Sequence, residues 1–324
     1  MRILFLLFGL CLACLTTLPL QAQKRGGYAN TRNPYYVEGY VTGGVSIGAM
    51  NYFGDVYSTV AHTRPGLSAF VSRKLSAHWH TRLELLWGRL LADDAAADPN
   101  TAFYARNLHF RNDVKELSLV GVYEIFPSYG RYDQRRAVRP YVFGGIALIH
   151  HNPKARIEGE WVELQPLRTE GQGQPGYAQP YSKVLLALPL GGGLTFSLGD
   201  RFDLSIETGL RFVQSDYIDD VGGRYADASE LASPLAQRLH NRTLASSNRR
   251  GGERDLQALV NQYGLLTYDG RNGGSYATLN GFQPGTVRGN FQRDLYLFTT
   301  IRLAFFLDTG LKCPQFYKNR RTTY

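Results

Sequence analysis

The chain has 324 residues, of which 44% are hydrophobic, 13% aromatic and 19% charged, with 35 glycines, 21 tyrosines and a formal net charge of +9. This composition excludes a disordered or collagenous chain. A mean hydropathy of −0.26 excludes a bundle of apolar transmembrane helices, each of which needs about 20 apolar residues.

The first element is an export signal. Met1-Arg2, the apolar run Ile3 to Leu15 and the ending Pro19-Leu20-Gln21-Ala22 predict a signal peptide over 1–22, cleaved after the small Ala22. Two readings compete with it, a single transmembrane helix and, through Leu12-Ala13-Cys14, a lipoprotein signal. Cleavage removes Cys11 and Cys14 of the three cysteines, and 3 − 2 leaves Cys313 alone, so no internal disulfide is expected. It also removes Arg2 and takes the formal charge from +9 to +8. An exported basic protein meets anionic lipid headgroups and acidic partners first, so no nucleic-acid partner is expected.

After a periplasmic N-terminal segment, 23–36, the chain alternates with period two. Val37, Gly39, Val41, Gly43, Val45 and Ile47 share one face of a strand over about 37–48. Looser alternation predicts strands at about 66–75, 79–92, 114–126, 139–150 and 184–198. The clearest comes next: Phe202, Leu204, Ile206, Thr208, Leu210 and Phe212 oppose Asp203, Ser205, Glu207, Gly209 and Arg211. The last sets Leu295, Leu297, Ile301, Leu303 and Phe305 against Tyr296, Phe298, Arg302 and Phe306. Strands of about 10 to 14 residues exceed the soluble norm of about 5 to 6 and suit a tilted bilayer crossing.

The connections alternate in length, with 48–65, 93–113, 151–183 and 214–292 long and the others short or moderate. The fold class expected is therefore all-β: an eight-stranded antiparallel transmembrane β-barrel over 37–307, with long extracellular loops and a short periplasmic C-terminal tail over 308–324. A soluble lipocalin-like barrel, with its apolar face inward, is the competing architecture. Against it stand charges of both signs on the polar faces: Glu38, Arg82, Glu84, Glu116, Glu124, Glu207, Arg211 and Arg302. An eight-stranded barrel is filled by its own side chains, so these charges are expected to form lumen salt bridges and leave no open pore. Tyr35, Tyr36, Trp79, Phe126, Tyr141, Trp161 and Tyr296 are candidates for aromatic belts or for ordinary core packing.

Within the long loop, Asp227-Ala228-Ser229-Glu230 has capping-box spacing before Leu231 and the run Leu235 to Leu239, and 252–265 reads as a second short helix. A partly ordered extracellular cap is expected. Asp216, Tyr217, Asp219 and Asp220 form an acidic loop motif without the ordered spacing of a calcium loop, which favours a bracket held by backbone amides and Arg224 over a metal. His150-His151 with Ser182 or Ser215 raises a histidine-activated serine of a lipid-modifying enzyme, against ordinary polar residues at a strand exit. No cofactor motif is present: Gly191-Gly192-Gly193 lies inside a strand. In the tail, the lone Cys313 predicts an intermolecular disulfide or a thiol packed against the barrel base. Phe316 and Tyr317 are expected to dock on a periplasmic partner, with Arg320 and Arg321 steering an acidic surface.

Several stretches together resemble the PorG-like outer-membrane barrels of type IX (Por) secretion and gliding motility. They are Asn51-Tyr52-Phe53-Gly54-Asp55, Arg139-Pro140-Tyr141-Val142-Phe143-Gly144-Gly145 running on to His150, Ser215-Asp216-Tyr217-Ile218-Asp219-Asp220-Val221, Arg288-Gly289-Asn290, and Lys312-Cys313-Pro314-Gln315-Phe316. The stretch from Leu244 to Thr286 and the pair Phe291-Gln292 depart from that pattern. The resemblance implies a non-enzymatic outer-membrane component beside a periplasmic ring of a PorK-like lipoprotein and PorN, with the ring lipoprotein as the natural disulfide partner of Cys313. A surface-recognition or adhesion barrel and a lipid-modifying enzyme are the alternatives.

Overall fold

The structure is a computed structural model and describes residues 37–289 and 293–307. The signal peptide, the segment 23–36 and the tail 308–324, with Cys313, Phe316, Tyr317, Arg320 and Arg321, lie outside the described residues.

Eight long strands close on themselves. In chain order they are β1 (Val41–Phe53), β2 (Arg64–Lys74), β3 (Trp79–Asp93), β4 (His109–Glu124), β5 (Val138–His150), β8 (Val184–Leu198), β9 (Phe202–Val213) and β12 (Leu295–Leu307). Each pairs antiparallel with its neighbours, β3 with β4 along the whole of β3, and β1 with β12 from Val41↔Leu307 to Phe53↔Leu295 closes the ring. A closed ring leaves no unpaired strand edge, which backbone in hydrocarbon requires.

The period-two pattern becomes an inside and an outside. Val45, Ile47, Leu67, Leu85, Ile146, Leu188, Ile206 and Ile301 are exposed on the outer surface, while Ser46, Glu84, Glu207, Arg211 and Arg302 are buried inside. That is the inverse of a soluble barrel, and it gives an apolar belt of the kind that faces lipid. Two glycines make the packed interior possible. A Cβ on Gly44 would sit 2.6 Å from the Phe70 ring, and one on Gly209 would sit 2.6 Å from the Phe143 ring. Those rings carry the guanidinium groups of Arg302 and Arg82, each 4.9 Å from the ring centre.

Several boundaries differ from the sequence reading. β1 begins at Val41 and runs to Phe53, because Asn51, Tyr52 and Phe53 continue the ladder with β12, so the first long connection shrinks to 54–63. β4 starts at His109, since β3 and then a hairpin pair with its outer end. That hairpin, β6 (Pro153–Ile157) with β7 (Glu160–Glu163), extends the sheet from β4 beyond the barrel rim. Glu38 precedes β1 and accepts a hydrogen bond from the Tyr132 amide instead of joining the strand's polar face.

The connections 54–63, 94–108, 151–183 and 214–294 share one end of the barrel, and the extension of β1 leaves the first of them shorter than 125–137 at the other end. There they build a cap containing three helices, α1 (Ala102–Arg106), α2 (Pro234–His240) and α3 (Leu256–Tyr263), and a hairpin of β10 (Leu265–Asp269) with β11 (Ser275–Leu279). The capping box at Asp227 does not start α2. Asp227 caps a single 3-10 turn over Ala228–Glu230, and Pro234 at the first position lets Ser233 cap α2. The second predicted helix is shorter than 252–265 and starts where Asp255 accepts from the Ala258 amide.

Candidate functional site

The barrel interior is a stack of ion pairs. In the middle tier, Arg302 from β12 reaches Glu84 at 2.5 Å and Glu207 at 3.1 Å, and Arg82 from β3 reaches Glu207 at 2.6 Å and Glu84 at 3.5 Å. Two acids and two arginines from three strands thus form a closed square with no net charge. Ser68 and Tyr141 complete the carboxylates, each donating a hydroxyl hydrogen bond. Toward the loop end, Arg211 lies 3.4 Å from Glu116, which also accepts from the Tyr296 hydroxyl at 2.5 Å. Toward the turn end, Arg139 bridges Glu124 and Asp203, and Arg135 and His80 add to the two carboxylates. The six lumen residues Arg82, Glu84, Glu116, Glu207, Arg211 and Arg302 all sit in this stack.

Above the ion pairs the lumen turns apolar. Met50, Leu86, Leu90, Phe110, Val114, Ile149, Val213 and Phe298 pack into one fully buried cluster. This layer and the salt-bridged stack fill most of the lumen, leaving a pocket of about 80 Å³ at the turn end beside Tyr40, Phe70, His80 and Arg139. Some aromatic candidates belong to the filling and not to a belt. Tyr141 and Tyr296 point inward because their hydroxyls serve Glu207 and Glu116, and Trp161 lies in the β6–β7 hairpin beneath the Arg111 guanidinium. Trp79 and Phe126, about half exposed at the turn end, keep belt positions. Tyr35 and Tyr36 lie outside the described residues.

The acidic loop motif latches the cap onto the barrel mouth. Asp219 and Asp294 each place an oxygen 2.7 Å from the Tyr52 hydroxyl, and Asp294 also accepts from the Ile218 amide. Burial, with Asp294 and Asp55 close by, pushes the Asp219 carboxyl well above its usual range, and burial does the same to Asp294. Asp220 accepts from the Thr169 and Tyr181 hydroxyls, and burial raises it to about 6. Asp216, half-buried near Asp55 and Glu170, is pushed up by burial to about 7. Tyr217 stacks on Tyr181 at 5.0 Å. The guanidinium inside this bracket is Arg288, which donates to Glu170, the Asp220 carbonyl, the Thr169 hydroxyl and the His240 carbonyl. Arg224, the sequence candidate, donates to the Gly285 carbonyl. Arg288 and Asp294 lie too far along the chain for a local motif to reveal them; the only sequence signal was the Arg288-Gly289-Asn290 piece.

The histidine pair separates as neighbouring strand residues do. His150 is exposed, while His151 is buried, stacks on Tyr181 at 5.8 Å and reaches the backbone carbonyl of Ser182, not its hydroxyl. Burial lowers His151 to about 4. The Ser182 hydroxyl accepts from the Val184 amide and the Ser215 hydroxyl from the Tyr217 amide, and neither hydroxyl is hydrogen-bonded to His150 or His151 among the described residues. His78 and His80, on either side of Trp79, also part. His80 turns inward, 3.4 Å from Glu124, and His78 stacks on Tyr123. Among the described residues no group of three or more histidine, cysteine or acidic side chains is arranged to hold a metal.

No curated protein matches the chain. Among solved structures it is similar to the N-terminal β-barrel domain of Pseudomonas aeruginosa OprF, with 10% identity and a TM-score of 0.32 over 83% of this chain and 100% of that one. It is also similar to Ail, the attachment invasion locus protein of Yersinia pestis, with 9% identity and a TM-score of 0.33 over 83% of this chain and 99% of that one. A third similarity is to the outer membrane protein OprG from Pseudomonas aeruginosa, with 8% identity and a TM-score of 0.35 over 84% of this chain and 97% of that one. A family model described as a domain of unknown function, DUF6089, matches residues 40–234, more than half of the chain and all but the last of the barrel strands, and the protein belongs to that family.

Proposed function

We propose that the protein is a non-enzymatic outer-membrane barrel of a type IX-like secretion machinery, which anchors a periplasmic ring of PorK and PorN type. The observation that carries this reading is the filled lumen. A barrel packed with the Arg82, Glu84, Glu207 and Arg302 square and sealed by an apolar layer offers no path for cargo or ions, so it acts by holding and not by conducting. The apolar outer face supports residence in an outer membrane, with lipid as its first partner. The PorG-like pieces named in the sequence supply the link to secretion, and the basic tail with Cys313, Phe316, Tyr317, Arg320 and Arg321 is the docking element. The leader 1–22 directs export, and the loop end faces outward.

Purification from detergent-solubilised envelopes tests the reading. Periplasmic ring proteins should co-purify, and a non-reducing gel should show an adduct lost in Cys313→Ser. Recovery of no ring protein, together with normal secretion after deletion of 312–324, would refute it. A second reading, a surface-recognition barrel, is favoured by the cap, whose helices and hairpin form a structured outer face.

A further inference from the structure

The cap encloses a cavity of about 850 Å³, open to solvent, between the β6–β7 hairpin, α2, the segment 241–251 and the β10–β11 hairpin. That volume falls in the range of small-molecule sites, about 300–1,000 Å³. Its charge is one-sided. Arg156, Arg238, Arg242, Arg249 and Arg250 line it, against the single carboxylate of Glu158. Arg238 is paired with Glu158 at 2.6 Å and Arg249 with Asp93 at 2.8 Å. Arg156, Arg242 and Arg250 have no carboxylate at ion-pair distance among the described residues.

Arg242 is the informative member. It is only 6% exposed, and its Nε and Nη2 donate to the carbonyls of Asn107 and Ser247. Its Nη1 has no protein acceptor among the described residues. A buried guanidinium with no carboxylate at ion-pair distance is costly, and burial, with Arg254 and Arg238 nearby and Asp93 offsetting them only in part, pulls Arg242 down to about 10. An anion in the cavity would supply what is missing, through charge-assisted hydrogen bonds. Tyr268 and Tyr276, stacked at 5.8 Å with 25° between their planes, also line the cavity. Flat aromatic faces beside convergent polar groups suit a ring-bearing ligand better than an extended peptide.

We propose that this cavity binds an anionic saccharide, its sulfate, phosphate or carboxylate groups held by Arg156, Arg242 and Arg250 and its sugar rings packed on the Tyr268–Tyr276 pair. The site belongs to the cap and does not depend on any secretion partner.

Calorimetric titration of the full chain in phosphatidylcholine nanodiscs tests it, using sulfated maltohexaose, neutral maltohexaose and a hexaglutamate peptide as probes. The sulfated sugar should bind and the neutral one should not. The double variant Arg156→Gln/Arg250→Gln, neither of whose side chains holds a carboxylate, should weaken binding by about tenfold or more. Arg271→Gln, also at the loop end but outside the cavity, should leave it unchanged. The site is refuted if the double variant binds normally, if Arg271→Gln loses as much, or if hexaglutamate binds more tightly. It is also refuted if the sulfated sugar binds only when linked to a lipid in the disc, since the membrane surface and not the cavity would then be the receptor.

Discussion

Asp219 and Asp294 meet on one phenolic hydroxyl, each with a carboxylate oxygen 2.7 Å from the Tyr52 oxygen. Tyr52 has one hydroxyl proton, and its oxygen already accepts from the Asp55 amide. Both short contacts are hydrogen bonds only when one of the two carboxyls is protonated and donates in turn. The raised proton affinity of both acids agrees with that count.

The first prediction is a pH dependence of the latch. The folded pair holds a proton that an unfolded aspartate, at about 3.9, has lost, so its contribution is fully present below that value and declines as pH rises toward the folded one. Asp220 and Asp216, raised to about 6 and about 7, act in the same direction. His240 and His151, lowered by burial to about 3 and about 4, act oppositely but only up to their unfolded value of about 6.5. Above that, only the acids remain. Hydrogen exchange of residues 216–221, corrected for intrinsic chemistry, should accelerate as pH rises above about 6.5, where the histidines no longer contribute. Asp294→Asn should flatten that slope even where it lowers protection overall. An equal slope in the variant would remove the shared proton from the account.

The second prediction concerns the lumen. Glu207→Ala strands Arg82 and Arg302 beside a single carboxylate, Glu84, and should cost about 3–5 kcal/mol, read as a lower urea midpoint in detergent. Glu207→Gln, which keeps two acceptor lone pairs, should cost less. In planar bilayers the wild-type protein should show no steady conductance.

The third prediction concerns Arg288, whose guanidinium joins Glu170, Thr169, Asp220 and His240. Arg288→Ala leaves Glu170 and Asp220 buried together without their cation. Limited proteolysis should then cut within 214–289 while the barrel keeps its anomalous migration on unheated gels. Resistance equal to wild type would show that the latch does not depend on this residue.

The fourth prediction is topological. In the orientation proposed, a tag at Ser247 is labelled on intact cells, and one placed after Tyr324 only once the outer membrane is opened. The reverse result would put the cap in the periplasm.

The barrel was legible because lipid on one side and packed charge on the other enforce strict alternation, so Phe202 to Phe212 could be assigned to faces by reading every second residue. The inward glutamates and arginines were legible for the same reason, though not which would pair. Glu207 meets Arg82, 125 positions away, through barrel closure alone. Tyr141 and Tyr296 were ambiguous because an aromatic ring with a polar tip suits both an interfacial belt and a carboxylate in the lumen. The cap was least legible. Its helices are one to two turns long and set by caps such as Ser233 and Asp255, and its latch is built from Tyr52, Glu170, Asp219, Arg288 and Asp294, which share no local pattern.

The seam between β1 and β12 joins the first and last barrel strands, and the longest connection, 214–294, immediately precedes β12. A lumen filled by the Arg82–Glu207 and Arg302–Glu84 pairs and sealed by Met50, Phe110 and Phe298 gives that connection no route through a finished ring. In the proposed orientation the whole segment must therefore be across the membrane before β12 zips onto β1. The order of assembly is fixed by the same side chains that close the pore, and the final act of biogenesis is the pairing of Val41 with Leu307 through Phe53 with Leu295.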